Sequence, residues 1–217
     1  MNLSILGPPG SGKGTQATRL SKELKIIHIS TGDMLREAVR NKTLLGQKAN
    51  QFMVSGQLVP DEVIIGIVRE RIAQKDCENG FLLDGFPRTI PQAEKLDELG
   101  PKLERVISME ITEEECVNRL AGRKSCTKCG MTYNPETHPP KIKDQCDQCQ
   151  SLLVLREDDR PETVKARLKV YLELTAPLVQ YYQKTNRLTP VDATLSPEGV
   201  YKQLVDLLQS DISLRNS

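Results

Sequence analysis

Gly7-Pro8-Pro9-Gly10-Ser11-Gly12-Lys13-Gly14-Thr15 is the stretch that decides the fold. It follows an apolar run, Asn2–Leu6, and opens an amphipathic one, Gln16-Ala17-Thr18-Arg19-Leu20. Strand, glycine-rich loop, lysine and helix, in that order, form the setting of a P-loop. Glycines let the backbone curl until successive N–H groups face phosphate oxygens. The helix N-terminus adds partial positive charge, and Lys13 adds a full one for the β- and γ-phosphates. Gly14 separates Lys13 from Thr15, so the strict pattern with Ser or Thr directly after the lysine is missed by one place. A plain glycine-rich turn with an incidental lysine is the competing reading, and the strand–loop–helix context disfavours it.

Outward from the loop, short apolar runs alternate with longer amphipathic ones, which predicts a parallel sheet with helices on both faces. The expected strands cover 2–6, 26–29, 80–84, 105–111 and 188–191. Helices are expected over 13–24, 33–55 in two pieces, 61–75, 90–98, 113–121, 161–184 and 197–209. Residues 122–159 break the rhythm with Pro135, Pro139, Pro140 and four of the six cysteines. They read as a small insertion, and 30–59 as a second one. The segment 210–217 is expected to fray.

The 217 residues carry 30 Lys+Arg against 29 Asp+Glu, so no global basic field favours nucleic acid or membranes. No apolar run approaches the roughly 20 residues of a bilayer span. The first residues lack a basic, then apolar, leader, and a cytoplasmic protein is the expectation. In that compartment cysteines serve as metal ligands or inert thiols more often than as disulfides.

Gly80-Phe81-Leu82-Leu83-Asp84 reads as a buried strand ending in a carboxylate, where P-loop enzymes orient Mg²⁺. Gly85-Phe86-Pro87-Arg88 and Gln92 follow, placing an arginine past the carboxyl end of a strand, where α/β folds bind ligands. Arg36, Arg119, Arg123, Arg156, Arg160 and Arg167 stand singly beside turns and insertion edges. Each alone reads as a solvated side chain, yet phosphoryl transfer needs several guanidinium groups to converge. Asp158-Asp159 reads equally as a partner for such arginines and as a solvated helix start.

Cys126-Thr127-Lys128-Cys129 and Cys146-Asp147-Gln148-Cys149 form two CxxC pairs, the spacing of a closed Cys₄ zinc site. Disulfides or a redox pair are the alternatives. A Cys₄ site has no open position, so its zinc is structural. His138 reads as a solvated loop residue, and Cys77 and Cys116 as small packing groups on helices.

Taken together, GPPGSGKGT, STGDMLR (30–36), GQLVPDE (56–62), FLLDGFPRT (81–89) and REDDRPETVKARL (156–168) resemble bacterial adenylate kinases over nearly the whole chain. The resemblance implies a nucleoside monophosphate kinase fold with a core (1–29, 60–121, 160–217), an AMP-binding segment (30–59) and a zinc-bearing lid (122–159). It implies reversible phosphoryl transfer from ATP to AMP, giving two ADP, with Mg²⁺ held through water near Asp84.

By the same resemblance Gly10, Ser11, Gly12, Lys13, Gly14 and Thr15 hold ATP phosphates. Arg119 and Arg123 sit at the ATP adenine and phosphates, Thr132 and Tyr133 touch ATP from the lid, and a carbonyl near Leu195 meets the adenine. Thr31, Arg36, Gln57, Leu58, Val59, Gly85, Phe86, Pro87, Arg88 and Gln92 bind AMP, Gln57 through its backbone. Arg156 and Arg167 contact the transferring phosphate and AMP. Lys13, Asp84, Arg88, Arg123, Arg156 and Arg167 form the catalytic set.

The expected protein is a monomer whose partners are ATP, AMP and ADP. A UMP- or CMP-directed kinase is the nearest alternative. A zinc-ribbon module for nucleic acid, using Lys124, Lys128, Lys141 and Lys143, is the alternative of another class.

Overall fold

A computed structural model describes residues 1–100 and 102–216, and the side chains of 1–100 and 102–208. The chain runs β1 (Asn2–Leu6), α1 (Lys13–Leu24), β2 (Ile27–Ser30), α2 (Thr31–Arg40), α3 (Leu44–Ser55), α4 (Asp61–Ile72), β3 (Phe81–Asp84) and α5 (Ile90–Glu98). It continues with β4 (Arg105–Glu110), α6 (Glu113–Ala121), β5 (Lys124–Cys126), β6 (Thr132–Tyr133), β7 (Leu153–Leu155), α7 (Pro161–Val170), α8 (Pro177–Lys184), β8 (Leu188–Asp192) and α9 (Pro197–Asn216).

The five expected strands form one parallel sheet ordered β2-β3-β1-β4-β8. Its central strands are apolar on both faces, as a sheet covered on two sides requires. Leu3, Ile5, Leu82 and Ile107 point to one face, against Ala17, Leu20 and Leu204 of α1 and α9. Leu83, Phe81 and Val106 point to the other, against Phe86, Leu96, Leu178 and Tyr182. With no tryptophan in the chain, aliphatic side chains supply most of this packing. The strand order reverses at β1, so the loops after β1 and β3 open on the same crevice.

Four helix starts, those of α2, α3, α5 and α6, follow capping chemistry. The side chains of Ser30, Thr43, Thr89 and Thr112 accept hydrogen bonds from the N–H groups of Asp33, Gly46, Gln92 and Glu115. The long helix expected over 161–184 is interrupted by a π-helical segment, Tyr171–Thr175. Pro177 has no N–H for the Glu173 carbonyl. The chain widens instead, and Ala176 donates to the Tyr171 carbonyl at 2.8 Å. Cys77 lies on a short 3₁₀ turn rather than on a helix. The last helix passes the expected end near 209 and reaches Asn216, since no glycine or proline interrupts 200–217. Ser217, part of the tail expected to fray, lies outside the described residues.

The segment without helical period is a three-stranded antiparallel sheet, β6-β5-β7. Its core is small: Cys126, Tyr133, Cys146 and Leu153. The segment carrying α2 and α3 touches it directly, where Arg40 Nη1 donates to the Thr127 carbonyl at 2.7 Å. Among the described residues, no helix is long and apolar enough to cross a membrane.

Candidate active site

The crevice at the carboxyl ends of β1 and β3 is one cavity of about 930 Å³. Gly10–Thr15 form its floor. Gly10 and Gly12 have φ of 90° and 89°, values that L side chains rarely adopt. A β-carbon at Gly10 would lie 2.6 Å from the Cys116 carbonyl oxygen, so helix α6 backs the loop too closely for any side chain. Gly12 is the left-handed residue from which α1 starts.

Lys13 Nζ donates to the Gly7 and Pro8 carbonyls at 2.7 Å each, lying back along its own loop. Burial pushes its ammonium down to about 7, against the pull of Asp84 and with the push of Arg88 and Arg167. The loop thus holds a cation short of anionic company.

The arginines converge on the same space. Arg36, Arg88, Arg119, Arg123, Arg156 and Arg167 all line the cavity, whereas Arg160 is exposed and outside it. Burial and the neighbouring Arg123 and Arg36 push Arg156 down to about 9. Burial and Arg167 push Arg88 down to about 10. Charged groups crowded this way, below their ordinary range yet still cationic near neutrality, mark a site built for a polyanion.

Each arginine is held in place. Arg88 Nε donates to the Gly85 carbonyl at 2.7 Å, and its main-chain N–H donates to Gln92 Oε1 at 2.7 Å. Gln92 Nε2 and Thr89 Oγ1 donate in turn to the Asp61 carboxylate, at 2.6 and 2.9 Å. From the π-helical segment, Thr175 Oγ1 donates to the Arg88 carbonyl at 2.9 Å. Asp33 accepts from Arg36 Nη2 at 2.6 Å. Arg156 Nε donates to Ser125 Oγ at 2.5 Å.

Asp159, with its side chain 2% exposed, accepts from Arg123 Nη2 at 2.6 Å and from Arg167 Nη1 at 2.9 Å. Asp158 pairs with Arg167 at 3.1 Å and faces Arg36 at 3.9 Å. Of the two readings of this acidic pair, the structure selects the arginine partner.

Several expected contact residues stand behind the cavity wall rather than on it. Thr31, Gln57, Val59, Phe86 and Gln92 do not line it, while Gly32, Gly56, Leu58, Gly85 and Pro87 do. Thr31 is buried and donates to the Gly85 carbonyl at 3.0 Å. Gln92 accepts from Arg88 and donates to Asp61, and Phe86 and Val59 belong to the core. Gln57 is exposed. Thr132, Tyr133 and Leu195 do reach the cavity. Tyr133, however, turns its hydroxyl to the cysteine cluster, 3.5 Å from Cys146 Sγ, where it accepts from the Asp147 N–H at 2.8 Å. What it offers the cavity is therefore backbone and ring edge. His138 is exposed as expected, but stacks on Tyr133 with ring centroids 5.2 Å apart.

Asp33, Asp61, Thr175 and Glu115 went unmarked in the sequence reading. Two carry a signal there: Asp33–Arg36 and Glu115–Arg119 have the i,i+3 and i,i+4 spacings of helical ion pairs.

The four lid cysteines meet, with all Sγ atoms within 4.8 Å of one another. Cys126 and Cys149 are 3.3 Å apart, Cys129 and Cys146 3.5 Å. Four thiolates about 2.3 Å from one ion at tetrahedral angles leave sulfurs somewhat under 4 Å apart, so the donor set fits zinc. Hydrogen bonds from Ser151 hold the Cys149 thiol down at about 6, whereas burial pushes Cys129 up to about 12. Asp84, 13% exposed beside Gly14, offers the cavity its carboxylate oxygens, the donor type that Mg²⁺ takes.

Comparison with known proteins agrees with this geometry. A profile of the family described as adenylate kinase matches residues 5–187. An adenylate kinase of Carboxydothermus hydrogenoformans is 53% identical over 213 residues, covering 96% of this chain and all of the relative. One from Archaeoglobus fulgidus is 52% identical, with 96% and 98% covered, and one from Thermosipho africanus 48%, with 96% and 100%. A P-loop, converging arginines and near-full-length identity on this scale place the chain in the adenylate kinase family.

Proposed function

We propose that this single cavity performs the family's reaction, transfer of the γ-phosphoryl group of ATP to AMP and its reverse, with the donor over Gly10–Thr15 and the acceptor between Arg36 and Arg88. One observation carries the reading. Lys13, Arg36, Arg88, Arg123, Arg156 and Arg167, from separate parts of the chain, line one space at the mouth of a P-loop.

The AMP phosphate has its second pKa at about 6, so its oxygen is already a nucleophile and no general base is required. What the chain supplies is alignment and charge. Lys13 turns from the Gly7 and Pro8 carbonyls to the donor phosphates. Arg123, Arg156 and Arg167 meet the charge on the transferring group, and Arg36 and Arg88 clamp the acceptor phosphate. Asp84 would hold Mg²⁺ through its water shell, and the chemistry supplied is neutralisation of β- and γ-oxygens.

Cys126, Cys129, Cys146 and Cys149 would hold zinc, which with four thiolates contributes fold and no Lewis acid. Thr31, Gln92 and Phe86 act by fixing the 85–88 loop. The working division is a core (1–29, 60–121, 160–217), an acceptor segment (30–59) and a lid (122–159), in a monomer. Lid closure would keep water from accepting the phosphoryl group.

A coupled assay of ADP formation from ATP, with AMP, UMP, CMP and GMP in parallel, tests the reading. AMP should be the best acceptor, and UMP or CMP outpacing it would overturn the assignment.

A further inference from the structure

Arg119 is the arginine on the cavity wall whose guanidinium is bound along its edge by uncharged carbonyls and one carboxylate. Nε donates to Glu115 Oε1 at 2.8 Å, Nη1 to the Ala193 carbonyl at 2.9 Å and Nη2 to the Thr194 carbonyl at 3.4 Å. All three acceptors engage N–H groups, which lie in the guanidinium plane. Three of the five in-plane donors are occupied, which fixes the plane, and the group then offers a ligand its face. Guanidinium faces stack on aromatic rings. Beside it run Thr194, Leu195 and Ser196, also on the cavity wall.

Of the three acceptors, the carbonyls belong to the β8–α9 connection and only Glu115 comes from Arg119's own helix. Glu115 is well placed for it. The carboxylate is one turn N-terminal to its partner, the favourable orientation for a helical pair. Its main-chain N–H is fixed by the Thr112 cap at 3.3 Å, and its side chain reaches the cavity.

We propose that Glu115 is a positioning residue for the donor nucleotide: it holds the Arg119 guanidinium flat as a ledge on which a purine base stacks. This rests on the donor-site reading given above. Glu115 touches no reacting atom, so its effect is confined to donor binding. Without the carboxylate, Nε loses its acceptor and the side chain regains rotamers in which the face no longer meets the base.

The test compares Glu115→Ala, Glu115→Gln, Arg119→Ala and the double variant Glu115→Ala/Arg119→Ala. Steady-state ADP formation gives KM for each nucleotide, and direct titration with ATP alone gives its Kd. For Glu115→Ala we expect KM and Kd for ATP to rise roughly three- to fivefold, the range set by a half-exposed charged pair. KM for AMP, turnover at saturating ATP and melting temperature should stay within about twofold or about 2 °C, since a half-exposed i,i+4 pair adds little stability. Glu115→Gln, which keeps an oxygen acceptor, should recover part of the loss.

Arg119→Ala should raise KM for ATP further, and the double variant should equal it. If Arg119→Ala weakens ATP binding but Glu115→Ala does not, or if the two effects multiply fully in the double variant, Glu115 is no positioner of Arg119. If Arg119→Ala itself leaves ATP binding unchanged, the donor-site reading fails and the proposal with it.

Discussion

Nucleotide binding should draw a proton onto the enzyme, and Lys13 should be its destination. In the free protein the ammonium sits at about 7, because burial and the cations Arg88 and Arg167 outweigh Asp84. A triphosphate against it should raise it back toward the ordinary value of 10.5. The folded free form thus binds fewer protons than the complex between those two values, and affinity should fall as pH rises through that window. At pH 8 a group at about 7 carries ~0.1 proton and the complex ~1, so about 0.9 proton is taken up per ATP bound. At pH 6 the free lysine is already ~0.9 protonated and uptake from this source shrinks to about 0.1.

Isothermal titration of ATP, without AMP, at pH 8 in two buffers of different ionisation enthalpy reads the proton count from the difference in heats. The triphosphate itself is fully ionised there, so it adds nothing. Lys13→Met should abolish the uptake and weaken binding. Zero net uptake at pH 8 would refute the depressed lysine, and uptake that survives in Lys13→Met would place the proton elsewhere.

Three further outcomes follow from the geometry. Arg88→Gly should cut ADP formation by about 100-fold or more, as loss of a charge-stabilising donor does. Its melting temperature should stay near normal; a variant that does not fold would mean that Arg88 is needed for packing. Asp159→Asn removes the anion shared by Arg123 and Arg167, and should cost about 2–3 kcal/mol, somewhat under a fully buried pair. Calorimetry should then show a melting temperature lower by roughly 5–10 °C, and an unchanged value would make the pair ornamental. Cys126→Ser/Cys129→Ser should lose metal by atomic absorption and melt on the order of 5–15 °C lower, because binding and folding are coupled in the lid. Full zinc content in this variant would exclude these cysteines as ligands.

The sheet was legible because each strand is a short apolar run bounded by turn residues, and both kinds of periodicity survive in the sequence. Gly10 and Lys13 were legible because backbone needs and phosphate chemistry restrict the residue types at those places. Asp159 was not, because two acids before a proline start a helix as readily as they bind arginine. Only the folded chain brings Asp159 to Arg123, 36 residues away. The role of Gln92 in holding Arg88 was hidden for the opposite reason: it follows a motif closely and reads first as a ligand contact, and only the fold shows its amide bonded to Arg88 and Asp61. The π-helical segment was hidden because Pro177 announces a disturbance in a helix without saying whether the chain will kink, stop or widen.

The bond from Arg40 to the Thr127 carbonyl joins two parts of the molecule that, on the reading above, serve different nucleotides. Such a bond would link the ordering of one to that of the other. Whatever orders one flap lowers the entropy that ordering the other must still lose. Occupancy of the two subsites would then be linked, and by the same factor in both directions, since a coupling free energy has no preferred origin. In a reversible reaction that symmetry is one of equilibrium binding: departure of either product would weaken the binding of the other, whichever direction the flux takes.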